Sequence, residues 1–505
     1  MGNLNAFSVH AAALHGVEAL PVTVEVSVSQ TIPGISIIGL PDASVAEAKY
    51  RVRCALTSHG FELPRLHYTV NLAPSELRKS GTGFDLGIAV GILACTGQIP
   101  LEGLDECLFV GELGLEGDVS GVRGLVAYDL LAREEHLTLV TANAAIPTKS
   151  GARACENIVE LTCGVRELPP VRDFPSCEAA EEGSAHVLDF ADVVDQEMAK
   201  RAFVIAAAGN HGLLMVGPPG AGKSMMAKRM PTILSKLDER ERAEATLIHS
   251  VAGQSIEGVQ AGERPFRAPH HAISMGGMIG GGRPVTPGEV SLAHGGVLFL
   301  DELPEFGPSV LQSLRQPMED GVVSIVRVEG NYLFPCDFML VAAANPCPCG
   351  YLGDPDHTCT CTPARIQTYQ SRIGGPLMDR IDVLVDVARP SPSRIISGEG
   401  GTSSSQMAEE VARAREFALW RQARQSGTHA GREGKAGGSG SVAAQNLDGP
   451  AQAALEGMAR RLGLGGRNIV RIARVARTIA DLAEEERVCK DHVVEACAFR
   501  TRSTL

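Results

Sequence analysis

Aromatic side chains are scarce in this chain. One Trp, six Tyr and fourteen Phe among 505 residues give no evident stacking platform for single-stranded nucleic acid. Long apolar runs are missing too. No stretch reaches the roughly 20 residues that a membrane-spanning helix needs. The opening Met1-Gly2-Asn3-Leu4-Asn5-Ala6-Phe7 lacks the basic and apolar regions of a secretory leader. A cytoplasmic protein with no membrane partner is therefore expected. Positive charge is in deficit, with 46 Lys and Arg against 59 Asp and Glu and a net charge of −13. That balance argues against coating nucleic acid through overall charge, but a local basic channel can work inside an acidic shell. Thirteen cysteines in a chain this long do not make a small secreted disulfide scaffold. In a reducing compartment they are buried thiols or metal ligands.

What is present is ordinary globular material, 44% hydrophobic and 21% charged, enough for two to four domains. An α/β multidomain architecture is expected, in three blocks. Residues 1–165 alternate strand-like runs, such as Val22–Val28, His67–Leu72 and Leu137–Val140, with short helical patterns. A polar, acidic stretch at 166–186 reads as a linker. Residues 187–392 show repeated strand–loop–helix units, the pattern of a parallel sheet. Residues 393–505 are helical and comparatively basic, with helices expected at Ala408–Arg424 and Ile469–Glu486. Two Gly/Ser-rich pieces, Gly398–Ser405 and 426–441, are expected to be flexible or disordered.

The middle block carries the chemistry. Gly217-Pro218-Pro219-Gly220-Ala221-Gly222-Lys223-Ser224 is a complete GxxxxGK[ST] phosphate loop. Its glycines let backbone N–H groups turn toward a polyphosphate, Lys223 reaches the β and γ phosphates, and Ser224 can hold Mg²⁺. An apolar strand precedes it, and a helix whose N-terminus favours anions follows. About eighty residues on, Val297-Leu298-Phe299-Leu300 delivers Asp301 and Glu302 at a strand's C-terminal end, where ligands sit on an open α/β sheet. Asp301 suits Mg²⁺, and Glu302 suits the base that activates an attacking water. A third apolar strand, Phe338–Ala344, ends in Asn345. Beside the Asp-Glu strand, that amide would face the γ-phosphate and the water.

These three strand ends resemble Walker A, Walker B and sensor 1 of an AAA+ ATPase. A long insert (Phe266 to His294) and a hairpin-like segment (Val322 to Phe334) resemble the insertions of the clade holding magnesium chelatases and MCM helicases. His270 and His271, adjacent as on one strand, should point to opposite faces, which favours a structural or interface role over metal binding. Arg380 in Leu377-Met378-Asp379-Arg380-Ile381-Asp382 matches that clade's arginine finger. Arg467, after Gly465-Gly466, is the sensor 2 candidate, with Arg471, Arg474 and Arg477 close by. Ile38-Gly39-Leu40-Pro41-Asp42, Thr69-Val70-Asn71-Leu72-Ala73-Pro74, Leu298 to Phe306, Asn345-Pro346-Cys347-Pro348-Cys349-Gly350 and Ala476 to Leu482 extend the likeness to the full length. The chain resembles the YifB/ComM family of magnesium-chelatase-like AAA+ ATPases.

That resemblance implies a Lon-protease-like α+β N-terminal domain, a parallel-sheet AAA+ core and a helical C-terminal lid. A Lon-type site needs a nucleophilic Ser and a Lys. Here Asp85 stands where the nucleophile is expected, and Lys79 and Ser80 are adjacent, so the N-terminal domain is read as noncatalytic. It further implies ATP and Mg²⁺ as cofactors, a homohexamer with ATP between subunits, and a motor on DNA. The implied work is branch migration during recombination of incoming DNA in natural transformation. Arg264, Arg267, Arg283 and Arg327 are candidate pore residues. Two rivals stand beside this: a chelatase-type motor that remodels a protein partner without DNA, and an ATP-dependent Lon-like protease. Cys347, Cys349, Cys359 and Cys361 form a CxC…CxC set suited to tetrahedral Zn²⁺, with His357 as a substitute ligand. Reduced cysteines packing the loop are the alternative.

Overall fold

A computed structural model describes residues 5–147, 151–172, 174, 188–327, 330–372, 375–397, 401–426 and 442–500. Most of the 166–186 linker and nearly all of the 426–441 insert lie outside them.

Period-two alternation builds the first sheet. Strands β1 (Ala6–His15), β2 (Glu18–Ser29), β3 (Gly34–Ile38), β4 (His67–Ala73), β5 (Cys107–Phe109), β8 (Thr138–Thr141) and β9 (Arg153–Ala154) run in the order β3-β4-β2-β1-β5-β8-β9. Between β5 and β8, β6 (Glu112–Leu113) and β7 (Val119–Ser120) pair separately. Along β4 every second residue is buried, so one face is covered. Two helices share the core there, Ala43–Ser58 and Asp85–Cys95; the second, whose residues are all buried, lies on β1 and β2. Gly91 lets it approach, since a Cβ there would stand 2.6 Å from the Val26 Cγ2. Asp85 opens this helix with a side chain only 1% exposed. Arg51 holds its carboxylate in a two-point pair at 2.6 and 2.9 Å, and the Leu113 N–H donates at 3.3 Å. Burial pushes the Asp85 carboxyl up while Arg51 pulls it down. Lys79, also buried, donates to the Pro74 carbonyl.

The second sheet is wholly parallel. It contains β10 (Gly212–Val216), β11 (Phe266–Arg267), β14 (Val297–Leu300), β17 (Met339–Ala344) and β18 (Ile381–Asp386), in the order β11-β14-β17-β10-β18. β14 and β17 are buried along their whole length, as expected for strands covered on both faces. The insert contributes a short pair, β12 (Gly280–Gly281) with β13 (Thr286–Pro287). The segment before β17 is an antiparallel pair, β15 (Val322–Arg327) with β16 (Gly330–Pro335). The β1 end meets this pair: His15 stacks on Tyr332 at 4.3 Å, and its Nε2 lies 3.2 Å from the Asn331 carbonyl.

The C-terminal helices share one core with the parallel sheet. Ile472, Ala476 and Ile479 pack in the same cluster as Leu213, Met215 and Val341. They lie on the helix Gly466–Leu482, which ends four residues before the expected Glu486. A buried relay fixes the joint: His211 Nδ1 lies 3.0 Å from Asp382 and its Nε2 2.8 Å from Thr478. The helix expected at Ala408–Arg424 extends over Ser404–Ser426. Part of the Gly398–Ser405 segment is therefore ordered, against expectation. Ser404 is buried; its Oγ accepts from the Phe190 N–H at 2.9 Å and its own N–H donates to Asp189 at 2.8 Å. These bonds satisfy polar groups that composition alone leaves to solvent.

Removing one partner of a buried pair strands the other charge. Asp85→Ala is expected to cut hydrogen-exchange protection of the helix Asp85–Cys95 by about 3 kcal/mol, with apolar replacement of both Asp85 and Arg51 restoring most of it. Unchanged protection in the single variant refutes this account.

Candidate nucleotide site

Three neighbouring strand ends assemble the site. β10 runs into the loop at 217–222, and a helix starts at Lys223. Gly217 tolerates no side chain, because a Cβ there would sit 2.1 Å from the Val387 carbonyl oxygen. Gly220 and Gly222 have φ of +80° and +86°, a left-handed conformation that glycine adopts at no steric cost.

Lys223 folds across its own loop. Its Nζ donates to the carbonyls of Gly217 at 2.6 Å and Pro218 at 2.9 Å, and to the Asn345 Oδ1 at 3.1 Å. Burial draws its pKa down to about 8, with Asp301 and Glu302 partly opposing. Ser224 Oγ donates to the Asp301 Oδ2 at 2.5 Å. Asp301 in turn accepts from the Glu302 N–H at 2.9 Å. Lys223, Ser224, Asp301 and Asn345 thus converge, although up to 122 residues separate them in sequence. The hydroxyl and carboxylate of Ser224 and Asp301 form a hard oxygen donor set, which fits Mg²⁺.

Glu302 sits at φ +50°, ψ +47°, a left-handed conformation that costs a non-glycine residue energy and is found at functional sites. His271 Nδ1 lies 3.5 Å from its carboxylate. The two histidines do not point apart as expected. Their rings lie 4.1 Å from each other, because β11 ends at Arg267 and the alternation of a strand no longer applies at 270.

The two arginines stand elsewhere. Arg380 pairs with Glu319 and holds that carboxyl below its ordinary range. Arg467 is 77% exposed and pairs with Asp379 at 3.2 Å. Neither bonds to the Lys223 cluster. Of the four pore candidates, two are committed to internal pairs: Arg267 to Glu289 at 2.6 and 2.8 Å, and Arg264 to Glu241 at 2.9 Å. Arg283 and Arg327 are exposed on the insert and on β15.

The four loop cysteines come together. Cys347 lies 3.4 Å from Cys349 and 3.7 Å from Cys359, sulfur to sulfur, and Cys361 belongs to the same cluster. The Tyr351 backbone N–H draws the Cys349 thiol down to about 6. His357 stacks on Tyr351 instead of joining them. One residue the motifs missed is Arg389, which donates to the Pro219 carbonyl at 3.3 Å. Its only sequence signal is its place just beyond a strand that neighbours the phosphate-loop strand.

A parallel sheet in this order, with a phosphate loop at one strand end and an Asp-Glu pair two strands away, defines a magnesium-chelatase-like AAA+ ATPase. Residues 189–395 match the family described as magnesium chelatase, subunit ChlI. Residues 24–144 match subunit ChlI of Mg-chelatase, and residues 401–500 match the ChlI C-terminal family. The chain is 38% identical over 503 residues to competence protein ComM of Haemophilus influenzae, covering 97% of both chains. It is 37% identical over 503 residues to the uncharacterised protein YifB of Escherichia coli, covering 97% of this chain and 96% of that one. A 168-residue stretch is 27% identical to the magnesium-chelatase 67 kDa subunit of Chlorobaculum parvum, covering 32% of this chain and 24% of that subunit. The chain belongs to the YifB/ComM family of magnesium-chelatase-like ATPases. Among the described residues, no helix is long and apolar enough to cross a membrane.

The charged form of Lys223 is the one that attracts phosphate, and phosphate raises its proton affinity. Where the pH exceeds about 8 the free lysine is partly neutral, so binding must take up a proton. ATP affinity is expected to fall as pH rises through about 8. Calorimetry above that pH, in buffers of different ionisation enthalpy, should show proton uptake; buffer-independent heats refute it.

Proposed function

We propose that the protein is an ATP-driven homohexameric ring motor, working in the cytoplasm on branched DNA as a branch-migration helicase during recombination of incoming DNA. The convergence of Lys223, Ser224, Asp301 and Asn345 carries the ATPase part of this reading. Full-length similarity to a protein named for competence supports the DNA part. In this reading residues 217–224 cradle the phosphates, and Ser224 and Asp301 would hold Mg²⁺, which when bound would supply charge neutralisation at the phosphate oxygens. Glu302 takes a proton from the attacking water, and Asn345 orients that water. Arg380 acts as the finger toward a neighbouring copy, and Arg467 as sensor 2. Residues 1–165 serve as a noncatalytic Lon-like domain, 166–186 as linker, 187–392 as ATPase core and 393–505 as lid. The four loop cysteines hold a structural Zn²⁺. Arg283 and Arg327, exposed on the insert and on β15, are the candidates to meet phosphate in a pore. The Asp85–Arg51 pair weighs against proteolysis, since it fills the expected nucleophile position with a committed carboxylate.

Glu302→Gln is expected to keep ATP binding while slowing hydrolysis about a hundredfold or more. Wild type should unwind branched DNA with DNA-stimulated ATP turnover, and the variant should not. Normal turnover in wild type with neither DNA stimulation nor unwinding refutes the helicase reading and favours a protein-remodelling motor. Casein degradation by wild type restores the protease.

An arginine acting in trans predicts complementation. Arg380→Ala alone should lose about a thousandfold in turnover. Mixing it with Glu302→Gln should restore part of the activity, because one interface then carries neither defect. Absence of rescue in mixed oligomers argues that Arg380 acts within its own chain.

A further inference from the structure

The loop after β17 carries a second site built from sulfur. Cys347 is buried, and Cys349, Cys359 and Cys361 are half-buried. No pair is bonded. The sulfurs of Cys347, Cys349 and Cys359 lie 3.4, 3.7 and 3.6 Å apart, and all four sulfurs lie within 4.8 Å of one another. A disulfide would bring two of them to about 2.05 Å. A Zn–S bond of about 2.3 Å places tetrahedral sulfurs about 3.8 Å apart. The cluster therefore has the spacing of a four-thiolate zinc centre.

Its surroundings give the site a purpose. Cys347 stands two residues after Asn345, whose side chain meets Lys223. Gly350, at φ +85°, lies so close to the phosphate loop that a Cβ on it would stand 2.6 Å from Pro219 Cδ. Tyr351 stacks on His357 at 4.9 Å, and the Arg389 guanidinium lies 5.5 Å from the Tyr351 ring. Arg389 also bonds to His357 Nδ1 at 3.0 Å, pairs with Asp354 at 3.7 Å and donates to the Pro219 carbonyl at 3.3 Å. Residues 346–362 are mostly Gly, Pro, Asp, Thr and Cys, too little apolar material to hold themselves in place by burial. A metal crosslink supplies that order.

We propose that Cys347, Cys349, Cys359 and Cys361 hold one Zn²⁺ ion, and that this knuckle buttresses the phosphate loop through Gly350 and Arg389, so that zinc occupancy sets the affinity for ATP. The proposal rests on the reading of 217–224 as the ATP site. Zinc holds Gly350 and the Tyr351–His357 stack, and the stack holds Arg389 on Pro219. Loss of the ion frees the loop on both sides, at Asn345 and at Pro219.

The test uses the full-length protein, zinc itself and a fluorescent ATP analogue. Metal analysis should find one zinc per chain. Cobalt exchanged into the site should show tetrahedral, thiolate-to-metal charge-transfer bands. A Cys349→Ser/Cys359→Ser double variant should lose the metal and bind the analogue at least about tenfold more weakly. Arg389→Ala, which leaves every thiol in place, should retain zinc yet weaken the analogue about tenfold, as for a lost charged hydrogen bond, with kcat at saturating ATP little changed. Absence of zinc and of the cobalt spectrum, with the analogue still bound, overturns the metal site. Zinc bound by wild type, with nucleotide affinity unchanged in both variants, overturns the buttress. Failure of wild type to bind the analogue overturns the ATP-site reading itself.

Discussion

The parallel register of β10, β17 and β14 is the constraint on which the site depends. Leu213 to Val216 of β10 pair with Val341 to Ala344 of β17, and Val297 to Leu300 of β14 pair with Met339 to Ala342. This register ends the strands on one edge. Lys223, Asn345 and Asp301 meet there because each follows its strand at the edge where the carboxyl ends open. The strands are apolar throughout, so the sheet is secured by burial on both faces, and its edge can carry a polar cluster.

Around that edge the chain spends its polar groups on positioning. Lys223 is held by two loop carbonyls and an amide, while burial lowers its proton affinity. The His211–Asp382–Thr478 relay ties the same sheet to the C-terminal helix. The relay lies at the amino ends of β10 and β18, the end opposite the phosphate loop that follows Val216. On the opposite side, the cysteine loop leans on Pro219 through Gly350 and Arg389.

The N-terminal sheet shows a different economy. Its central helix is buried all round, and the only ionised group the helix carries, Asp85, is met by Arg51 and a backbone N–H. At the start of that helix the chain carries a buried charge pair. The rim of this sheet reaches the β15–β16 pair through His15 and Tyr332.

The phosphate-loop turn and the Asp-Glu strand end were legible in the sequence, because each rests on local rules: glycine conformations and apolar runs. The alternation that separates His270 from His271 failed, since whether those residues lie on a strand is settled by pairing and not by their own chemistry. Ser404 was misread for a similar reason: its neighbours are glycines and serines, but its partners are Asp189 and Phe190, more than two hundred residues away. Arg264 and Arg267 look like free cations in sequence and prove to be held by Glu241 and Glu289. By itself, then, the sequence determined which residues could cradle a phosphate and where the strands run. Only the tertiary structure decided that Asn345 meets Lys223, that four thiols close into one cluster and that Arg389 reaches Pro219, because those contacts depend on which strands become neighbours in the sheet.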